Sequence, residues 1–314
     1  MLSPADAPAP RRPLVAVLVG PTAVGKTATA LALADQLPLE IISADSRYLY
    51  RGLDIGTAKP TPAELARVPH HLVDVTDPDQ PWTLSEYQSA AAAALAGIVA
   101  RGRLPLLVGG TGQYVRAVVE GWQPPPSDPT GATRAALEHT LAADGLPALV
   151  AQLQAIDPAS AAVIDLRNPR RVVRALEVAQ LTGESFVAQR RREPPPYQFV
   201  WLGLSLPRAE LYARIDARID AMLAAGFVDE VRGLAARGYG WHLPAMSALG
   251  YREIGAYLRG ETTLDAAAQA IQRATRQFVR RQANWFRPTD PTLSWFPAIP
   301  NAAAALVAHL AQFA

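Results

Sequence analysis

A short apolar run followed directly by a glycine-rich loop restricts this chain more than any other feature of its sequence. Residues 14–19 read LVAVLV, and residues 20–27 continue as GPTAVGKT, the pattern G-x-x-x-x-G-K-T. The run is short and rich in β-branched residues, which is typical of a strand buried on both faces of a parallel sheet. Because residues 28–37 then have a helical pattern, we predict a strand, a phosphate-binding loop and a helix.

Phosphate binding at this loop is expected from three kinds of group. The glycines let backbone N–H groups turn towards an anion, and the following helix adds the positive end of its dipole. Lys26 supplies a cation, and Thr27 is placed to reach a Mg²⁺ ion that rides on the phosphates. A glycine-containing turn that binds nothing is the alternative, and the strand before the loop argues against it. The predicted phosphate-binding residues are Gly20, Pro21, Thr22, Ala23, Val24, Gly25, Lys26 and Thr27.

Lysine usage singles out the same loop. Lys and Arg together number 30 in this chain of 314 residues, yet only Lys26 and Lys59 are lysines. Arginine presents a rigid planar fork, whereas lysine presents a compact ammonium group that fits among backbone oxygens. We therefore expect both lysines to lie where a guanidinium group would not fit.

The composition excludes several classes of protein. The chain has no cysteine, which excludes disulfides, thiol catalysis and zinc bound by cysteine. No apolar run reaches the ~18 residues that a membrane-spanning helix needs. Residues 1–12 are rich in Pro and Ala without an apolar stretch, which favours a disordered tail over a signal peptide. We expect a cytoplasmic, monomeric enzyme that makes no membrane contact.

A second apolar run, over residues 39–46, ends in a carboxylate at Asp45. In a doubly wound sheet the carboxyl ends of the strands face one crevice, so Asp45 is expected to face the ligand of the loop. An Asx turn or a helix cap is the alternative role for this side chain. Further strands predicted over residues 70–75, 104–108 and 199–206 complete a parallel sheet flanked by helices.

Two further groups are candidates for ligand contacts. Residues 109–112 read GGTG at the end of a predicted strand, where glycine lets the backbone approach a ligand and Thr111 offers a hydroxyl group. Arg214 and Arg218 lie four residues apart in a helical stretch predicted over 208–237, with a break at Gly226. This pair could bind an anion or could pair with carboxylates nearby on the same helix.

The middle of the chain is bounded by two Pro-Pro-Pro runs, and every element predicted between them is a helix. This predicts an all-helical insertion domain on proline hinges, over residues 122–197, within a core formed by residues 13–121 and 198–314. The predicted helices of the insertion cover residues 130–143, 146–155, 158–164 and 169–182.

Arginines gather on two predicted helices. The helix that begins near residue 169 carries Arg170, Arg171 and Arg174 at neighbouring positions, although exposed arginines usually form only a solvated surface. The helix predicted over residues 264–287 has no Asp or Glu between 266 and 289, and this favours contact with a phosphate backbone over a merely solvated face. The arginines on its one face are Arg273, Arg276, Arg280 and Arg287.

Taken in order, these segments resemble the tRNA dimethylallyltransferases of the bacterial type. The loop alone is unspecific, but the ordered set of segments is specific to that family and extends over about residues 14–287. The matching segments are residues 20–27, 45–46, 55–60, 70–72, 109–112, 170–177, 249–253, 275–277 and 280–286.

The resemblance implies a P-loop NTPase-like fold and the transfer of a dimethylallyl group to N6 of adenine 37, next to the anticodon of tRNA. The diphosphate of dimethylallyl diphosphate would bind at the loop with Mg²⁺ contacted by Thr27, and Asp45 would act as general base. Thr111 and Arg218 would be further catalytic contacts. The implied contacts to the anticodon stem-loop of tRNA come from Asp45, Ser46, Arg47, Tyr48, Thr111, Arg134, Arg170, Arg171, Arg174, Ser247, Ala248, Leu249, Gly250, Tyr251 and Arg252.

Two other functions fit parts of the sequence. A small-molecule or nucleoside kinase also combines a phosphate-binding loop with an Asp at a neighbouring strand end, but it does not account for the basic helix near the C-terminus. A non-catalytic RNA-binding module whose loop only senses a nucleotide has no need of Asp45.

Overall fold

The computed structural model describes residues 11–313, so most of the tail predicted over residues 1–12 lies outside the described residues. The described chain divides into two compact units. The first consists of residues 11–119 and 195–313, and the second of residues 120–194.

The first unit contains a sheet and its flanking helices. Its strands are β1 (Leu14–Val19), β2 (Leu39–Ser43), β3 (His70–His71), β4 (Leu104–Gly109), β7 (Gln198–Ser205) and β8 (Leu293–Pro297). Its helices are α1 (Lys26–Ala34), α2 (Pro62–Arg67), α3 (Leu84–Ala100), α4 (Gly112–Val119), α8 (Arg208–Ala224), α9 (Phe227–Ala236), α10 (Tyr251–Leu258), α11 (Leu264–Ala283) and α12 (Ala302–Leu310), with a short 3-10 helix at Ala245–Ser247.

All six strands of this sheet are parallel, in the order β3-β2-β4-β1-β7-β8. Strand β1 lies in the interior of the sheet, and its residues from Val15 to Val19 are fully buried. The register aligns Val19 with Gly109 on one side and with Gly203 on the other, so the loops after these strands lie at one edge. The predicted parallel sheet flanked by helices is confirmed. Strand β8 is an addition that the sequence analysis missed, because its segment is short and ends in proline.

Helix boundaries follow local chemistry. The predicted break at Gly226 is confirmed: this residue has φ 95°, and it separates α8 from α9. Helix α11 ends at Ala283, which is earlier than the predicted end at residue 287, and Pro288 disfavours a helical conformation at the residue before it. In the described part of the chain, no helix combines the length and apolar character needed to cross a bilayer.

The second unit is mainly helical. It contains α5 (Ala132–Ile156), α6 (Pro158–Ala161) and α7 (Pro169–Thr182), and α5 is kinked at Gly145, where φ is 78°. Leu149 and Leu153 of α5 pack against Val172 and Leu176 of α7 in a core of its own. The unit also has a short antiparallel pair, β5 (Trp122–Gln123) with β6 (Arg191–Arg192), so the expectation of helices alone was wrong in this detail.

Candidate active site

The loop between β1 and α1 has the backbone shape of an anion site. Ala23 and Gly25 have φ angles of 64° and 106°, which turn successive peptide groups towards the mouth of the loop. Within the described chain, the backbone N–H groups of Gly25, Lys26 and Thr27 have no hydrogen-bond acceptor. Unpaired N–H groups at a helix N-terminus bind phosphate oxygens readily. The loop is therefore built to hold an anion in the way its sequence indicates.

Not every N–H group of the loop is available. The backbone N–H of Thr22 donates to Oε1 of Gln282 at 2.9 Å, and that of Val24 lies 3.4 Å from the carbonyl oxygen of Pro21. The N–H of Thr22 is therefore already paired in this structure, and its predicted contact with phosphate stays a prediction.

Lys26 folds back on its own loop. Its ammonium group donates to the carbonyl oxygens of Gly20 and Pro21, at 2.9 Å each. Burial lowers the pKa of Lys26 from 10.5 to about 8; the negative charge of Asp45 opposes this shift, and the positive charge of Arg218 adds to it. The three charged groups are thus near neighbours at the loop.

Asp45 lies directly after β2 at the same edge of the sheet and is half-buried. Its Oδ1 accepts the backbone N–H of Arg47 at 2.9 Å, which is the Asx turn that the sequence left open as an alternative. Its other oxygen, Oδ2, has no hydrogen-bond partner among the described residues. The carboxylate can therefore be held by a turn through one oxygen and face a ligand with the other.

Thr111 joins two strand ends at the site. Its hydroxyl oxygen accepts the backbone N–H of Ser46 at 3.2 Å, and its own N–H donates to the carbonyl oxygen of Ala44 at 3.2 Å. Because the acceptor role of the hydroxyl is used, its proton is free to be donated to a ligand oxygen. Thr111 and Asp45 are thus held in one local network.

The glycines of residues 109–112 serve close packing within the protein. A Cβ on Gly109 would lie 2.2 Å from the carbonyl oxygen of Ala44, and one on Gly112 would lie 2.2 Å from the ring of Trp285. The prediction that these glycines make room for a ligand is therefore corrected, because neighbouring protein groups fill the space.

Arg214 and Arg218 of α8 contact backbone carbonyls. The guanidinium group of Arg214 lies 3.4 Å from the carbonyl oxygen of Val24 in the loop, and that of Arg218 donates to Thr57 at 3.2 Å. Neither pairs with a carboxylate among the described residues, and Asp216 between them pairs with Arg276. Of the two roles left open for this arginine pair, the structure favours the anion-binding one.

Tyr48 forms part of the wall of the site. Its hydroxyl donates to the carbonyl oxygen of Ala58 at 2.7 Å, and burial raises its pKa above the usual range. The charges of Asp45 and Arg218 also act on this pKa, in opposite directions, and the hydroxyl is near enough to Thr27 to hydrogen-bond with it. Tyr48 therefore stays protonated and lines the loop.

The second lysine stabilises the segment after Tyr48. The buried ammonium group of Lys59 donates to the carbonyl oxygen of Tyr50 at 2.7 Å, to Asp54 at 2.6 Å and to Asp74 at 2.5 Å. Three short bonds converging on one nitrogen suit an ammonium group and leave no space for a planar fork. Tyr50, Leu53 and Lys59 of this segment are buried.

A carboxylate that the sequence analysis missed supports the same segment. Glu230 of α9 accepts the backbone N–H groups of Asp54, Ile55 and Gly56 at 2.7 to 3.1 Å. The hydroxyl of Tyr251 donates to the same carboxylate at 2.5 Å. Only the fold reveals this role, because nothing in the sequence pairs position 230 with residues 54–56.

The predicted RNA-contact segment 247–252 is only partly accessible. Ala248, Gly250 and Tyr251 are buried, whereas Ser247 and Arg252 are exposed and Leu249 is half-buried. The ring of Tyr251 packs inside, where its hydroxyl donates to Glu230, and the RNA contact predicted for residues 247–252 stays a prediction. Arg47 reaches the same segment and donates to the carbonyl oxygen of Pro244 at 2.7 Å.

Part of the positive charge on the basic face of α11 is neutralised by an acidic residue of another helix, which the sequence of α11 alone does not show. Arg276 donates twice to Asp216 of α8, at 2.8 and 2.6 Å, so one of its arginines is already paired. Arg273 and Arg280 remain exposed. Arg280 lies near the hydroxyl of Tyr212, which also accepts a hydrogen bond from Arg208 at 3.0 Å, and these two guanidinium groups lower the pKa of the tyrosine.

In the second unit, the four predicted RNA-binding arginines divide into two pairs. Arg134 and Arg174 lie 2.6 and 3.1 Å from the buried carboxylate of Glu177. Arg170 and Arg171 are exposed, and no ion pair holds them within the described chain. Arg134 and Arg174 therefore also hold Glu177, and the RNA contact predicted for all four arginines stays a prediction.

The fold and the loop together define the class of this protein. A parallel sheet with G-x-x-x-x-G-K-T between its interior strand and the next helix is the architecture of a P-loop protein.

Comparisons with known proteins narrow the class to a family. The model of the IPP transferase family matches residues 48–289, and an isopentenyl transferase model matches residues 13–74. The chain is 57% identical to a tRNA dimethylallyltransferase of Roseiflexus sp. over 275 residues, which cover 88% of this chain and 90% of the relative. It is 55% identical to one of Roseiflexus castenholzii, covering 91% and 93%. This chain therefore belongs to the IPP transferase family.

A solved structure agrees with that assignment. The full-length tRNA isopentenylpyrophosphate transferase of Bacillus halodurans is 39% identical, with a TM-score of 0.71 over 96% of this chain and 97% of the other. A eukaryotic dimethylallyltransferase acting on tRNA shares the fold at a TM-score of 0.78 and 22% identity, covering 94% of this chain and 77% of the other.

Proposed function

We propose that this protein transfers a dimethylallyl group from dimethylallyl diphosphate to N6 of adenine 37 in tRNA, giving N6-isopentenyladenosine and diphosphate. The observation that carries the proposal is the placement of Asp45 beside Lys26 and Arg218, at a loop whose N–H groups at residues 25–27 are unpaired. The two substrates, tRNA and a prenyl diphosphate, are proposed from the names of the relatives.

In the proposed reaction, N6 of adenine forms a bond to C1 of the dimethylallyl group. The bond between C1 and the diphosphate oxygen breaks, and its electron pair leaves with the diphosphate. The amine is a weak nucleophile because its lone pair is delocalised, so N6 has to lose a proton as the new bond forms. Oδ2 of Asp45 is the acceptor for that proton, because Oδ1 is held by the turn.

The leaving group gains negative charge as the bond breaks. Lys26, the N–H groups of residues 25–27 and Arg218 are the donors that would stabilise this charge, and the hydroxyl of Thr111 can add a further bond. The backbone N–H groups are held in place by the loop, whereas Lys26 and Arg218 donate to backbone carbonyl oxygens and keep further N–H groups for the ligand.

The site also fits Mg²⁺ that arrives on the diphosphate. In the described chain, no three or more His, Asp or Glu side chains are arranged to hold a metal by themselves. An ion carried by the substrate needs few protein ligands, and the hydroxyl of Thr27 in the first turn of α1 suits this role. When bound, the ion would offset the charge of the diphosphate.

We propose the anticodon stem-loop of tRNA as the partner. Exposed cations lie in both units: no ion pair holds Arg170 and Arg171 of α7 among the described residues, whereas Arg252 of α10 pairs with Glu253 at 2.7 Å. The partly buried Arg47 lies near the site. A base in a loop can leave its stack at modest cost, which lets adenine reach a catalytic pocket. We propose that the protein is a cytoplasmic monomer, and sedimentation of the purified protein would test the oligomeric state.

The test incubates the purified protein with unmodified tRNA, Mg²⁺ and labelled dimethylallyl diphosphate, beside a second reaction with labelled ATP. Label is expected to enter tRNA from the prenyl donor only. Asp45→Asn keeps the acceptor for the Arg47 N–H but removes the base, so kcat should fall about 10²- to 10⁴-fold with the fold unchanged. Phosphate transfer from ATP to a small molecule, without prenyl transfer, would establish the kinase function instead.

A further inference from the structure

One polar side chain lies on the buried face of an otherwise amphipathic helix. Ala267, Ile271 and Gln282 are the buried residues of α11, and Gln282 is 4% exposed. On a helical projection it points about 160° away from Arg280, on the face opposite the basic one. A glutamine costs free energy when buried unless its amide is fully hydrogen-bonded, so its partners indicate its role.

The amide of Gln282 joins two loops of the candidate site. Its Oε1 accepts the backbone N–H of Thr22 at 2.9 Å, and its Nε2 donates to the carbonyl oxygen of Gly110 at 3.1 Å. Thr22 belongs to the phosphate-binding loop, and Gly110 precedes Thr111 at the end of β4. One side chain from a distant part of the sequence therefore fixes the relative position of the loops after β1 and β4.

The position of Gly110 is matched to this amide. A Cβ on Gly110 would lie 2.2 Å from Nε2 of Gln282, so a residue with a side chain would displace it. Because the side chain of Gln282 occupies this space, the lack of a side chain at residue 110 serves the contact with Gln282. The contact thus depends on residue type at both ends.

The contact also decides which N–H groups the loop offers. With the N–H of Thr22 bonded to Gln282 and that of Val24 near Pro21, the N–H groups of Ala23, Gly25, Lys26 and Thr27 have no acceptor among the described residues. We propose that Gln282 is a positioning residue for the prenyl donor, which holds the loop in the shape that binds diphosphate. This inference rests on the proposed function, since it assigns the anion of the loop to that donor.

The test compares three variants by titration with inorganic diphosphate in the presence of Mg²⁺, without tRNA. Gln282→Met keeps length and volume but removes both hydrogen bonds, and Gly110→Ala displaces the amide from the other side of the contact. Each is expected to weaken diphosphate binding about tenfold, since two buried hydrogen bonds are lost. Gln277→Ala removes an exposed glutamine from the same helix and should leave diphosphate affinity within about twofold of the unchanged protein.

Two further readouts separate positioning from a general loss of structure. Amide hydrogen exchange in residues 20–27 should accelerate in Gln282→Met, because the N–H of Thr22 loses its acceptor. In turnover, KM for dimethylallyl diphosphate should rise by the same factor as the dissociation constant, whereas KM for tRNA stays within about twofold.

The outcomes distinguish this inference from the proposed function. Unchanged or tighter diphosphate binding by Gln282→Met, with the Gly110→Ala variant behaving likewise, would show that Thr22 serves the ligand better when free and would overturn the inference. Absence of prenyl transfer by the unchanged protein would overturn the proposed function, and the diphosphate titration would still report on the role of Gln282.

Discussion

At the scale of single residues, Asp45 shows how a structural and a catalytic role can coexist in one side chain. One carboxylate oxygen closes a turn with the N–H of Arg47, and this bond fixes the direction of the other oxygen. An orientation set by the protein avoids an ordering cost at the moment of reaction. The turn, which sequence analysis weighed against catalysis, is thus part of what positions a general base.

Lys26 makes donor binding dependent on pH. Burial lowers the pKa of its ammonium group to about 8, so the charged form is lost in the free protein as the pH rises through that value. An anion binds better to the charged form, so the affinity for diphosphate should be highest below pH 8 and fall above it. Titrations between pH 6.5 and 9.5 would measure this fall.

The control for this prediction is Lys26→Met, which has no titrating group at the position. Its affinity should be lower throughout, and its pH dependence should reflect the ionisation of the diphosphate alone. A break near pH 8 that persists in this variant would assign the effect to another group.

At the scale of elements, the arginines of α7 have two different roles. Arg174 donates to the carbonyl oxygen of Pro125 at 2.6 Å and lies beside Glu177, whereas Arg170 and Arg171 are exposed. Their spacing in the sequence is the same as for any helical face, so only the fold shows which arginines are free.

The two uses of arginine predict different effects of substitution. Replacing Arg170 or Arg171 by Ala should reduce the slope of log affinity for tRNA against log salt by about 1 each, because each contact to a phosphate releases a counterion. Binding measured from 50 to 200 mM salt would give these slopes.

Arg174→Ala provides the contrast within the same helix. It leaves the buried Glu177 with one partner fewer, so the protein should unfold at a lower temperature. A salt slope that is unchanged in the Arg170 and Arg171 variants would show that α7 does not contact the RNA backbone.

Helices and strands were predicted correctly from the sequence where nearby residues determine the backbone conformation. Strand β1, the loop and α1 follow from a β-branched run, two glycines and a helical pattern, and they occur in the predicted order. Helix α1 begins two residues and ends three residues before the predicted bounds of 28 and 37. The break at Gly226 follows from the conformational freedom of glycine. Strand β8 and Glu230 were missed, because their roles come from contacts with residues far away in the chain.

At the scale of the whole molecule, a charged cluster ties three elements of the first unit together. Glu40 of β2 accepts bonds from Arg101 after α3, at 2.9 and 2.7 Å, and lies 2.7 Å from Nε2 of His71 on β3. The hydrogen bonds from Arg101 are the largest cause of a lowered Glu40 pKa, which falls from 4.5 to about 2, and His71 contributes as well.

This cluster predicts how stability changes in acid. Between pH 4.5 and 2 the unfolded chain binds a proton at Glu40 that the folded protein does not, so the free energy of unfolding falls as the pH drops through that window. Because Arg101 is half exposed, the contribution is about 1–2 kcal/mol. Urea unfolding at pH 7 and pH 3 should therefore show that the free energy of unfolding falls less in Glu40→Gln than in the unchanged protein.

Glu138→Gln is the matched control for this measurement, since Glu138 is an exposed glutamate. Its loss of stability between pH 7 and pH 3 should equal that of the unchanged protein. An equal loss in Glu40→Gln would show that the cluster does not contribute to acid stability.

The sequence by itself determined the features that depend on neighbours along the chain. These are the phosphate-binding loop, the apolar strands of the parallel sheet, the helical character of the second unit and, through the order of its motifs, the family. Each follows from residue type and spacing over a few positions, which is the range over which backbone conformation is locally decided.

Only the tertiary structure decided which of the candidate groups are free to act. It paired Arg276 with Asp216, placed the ring of Tyr251 inside and filled the space beside Gly110 with Gln282. These contacts join residues from 21 to 172 positions apart, and no local pattern encodes which distant partners meet. Hydrogen bonding and burial depend on the tertiary packing of the whole chain. They therefore determined which of the candidate site residues suggested by the sequence are accessible.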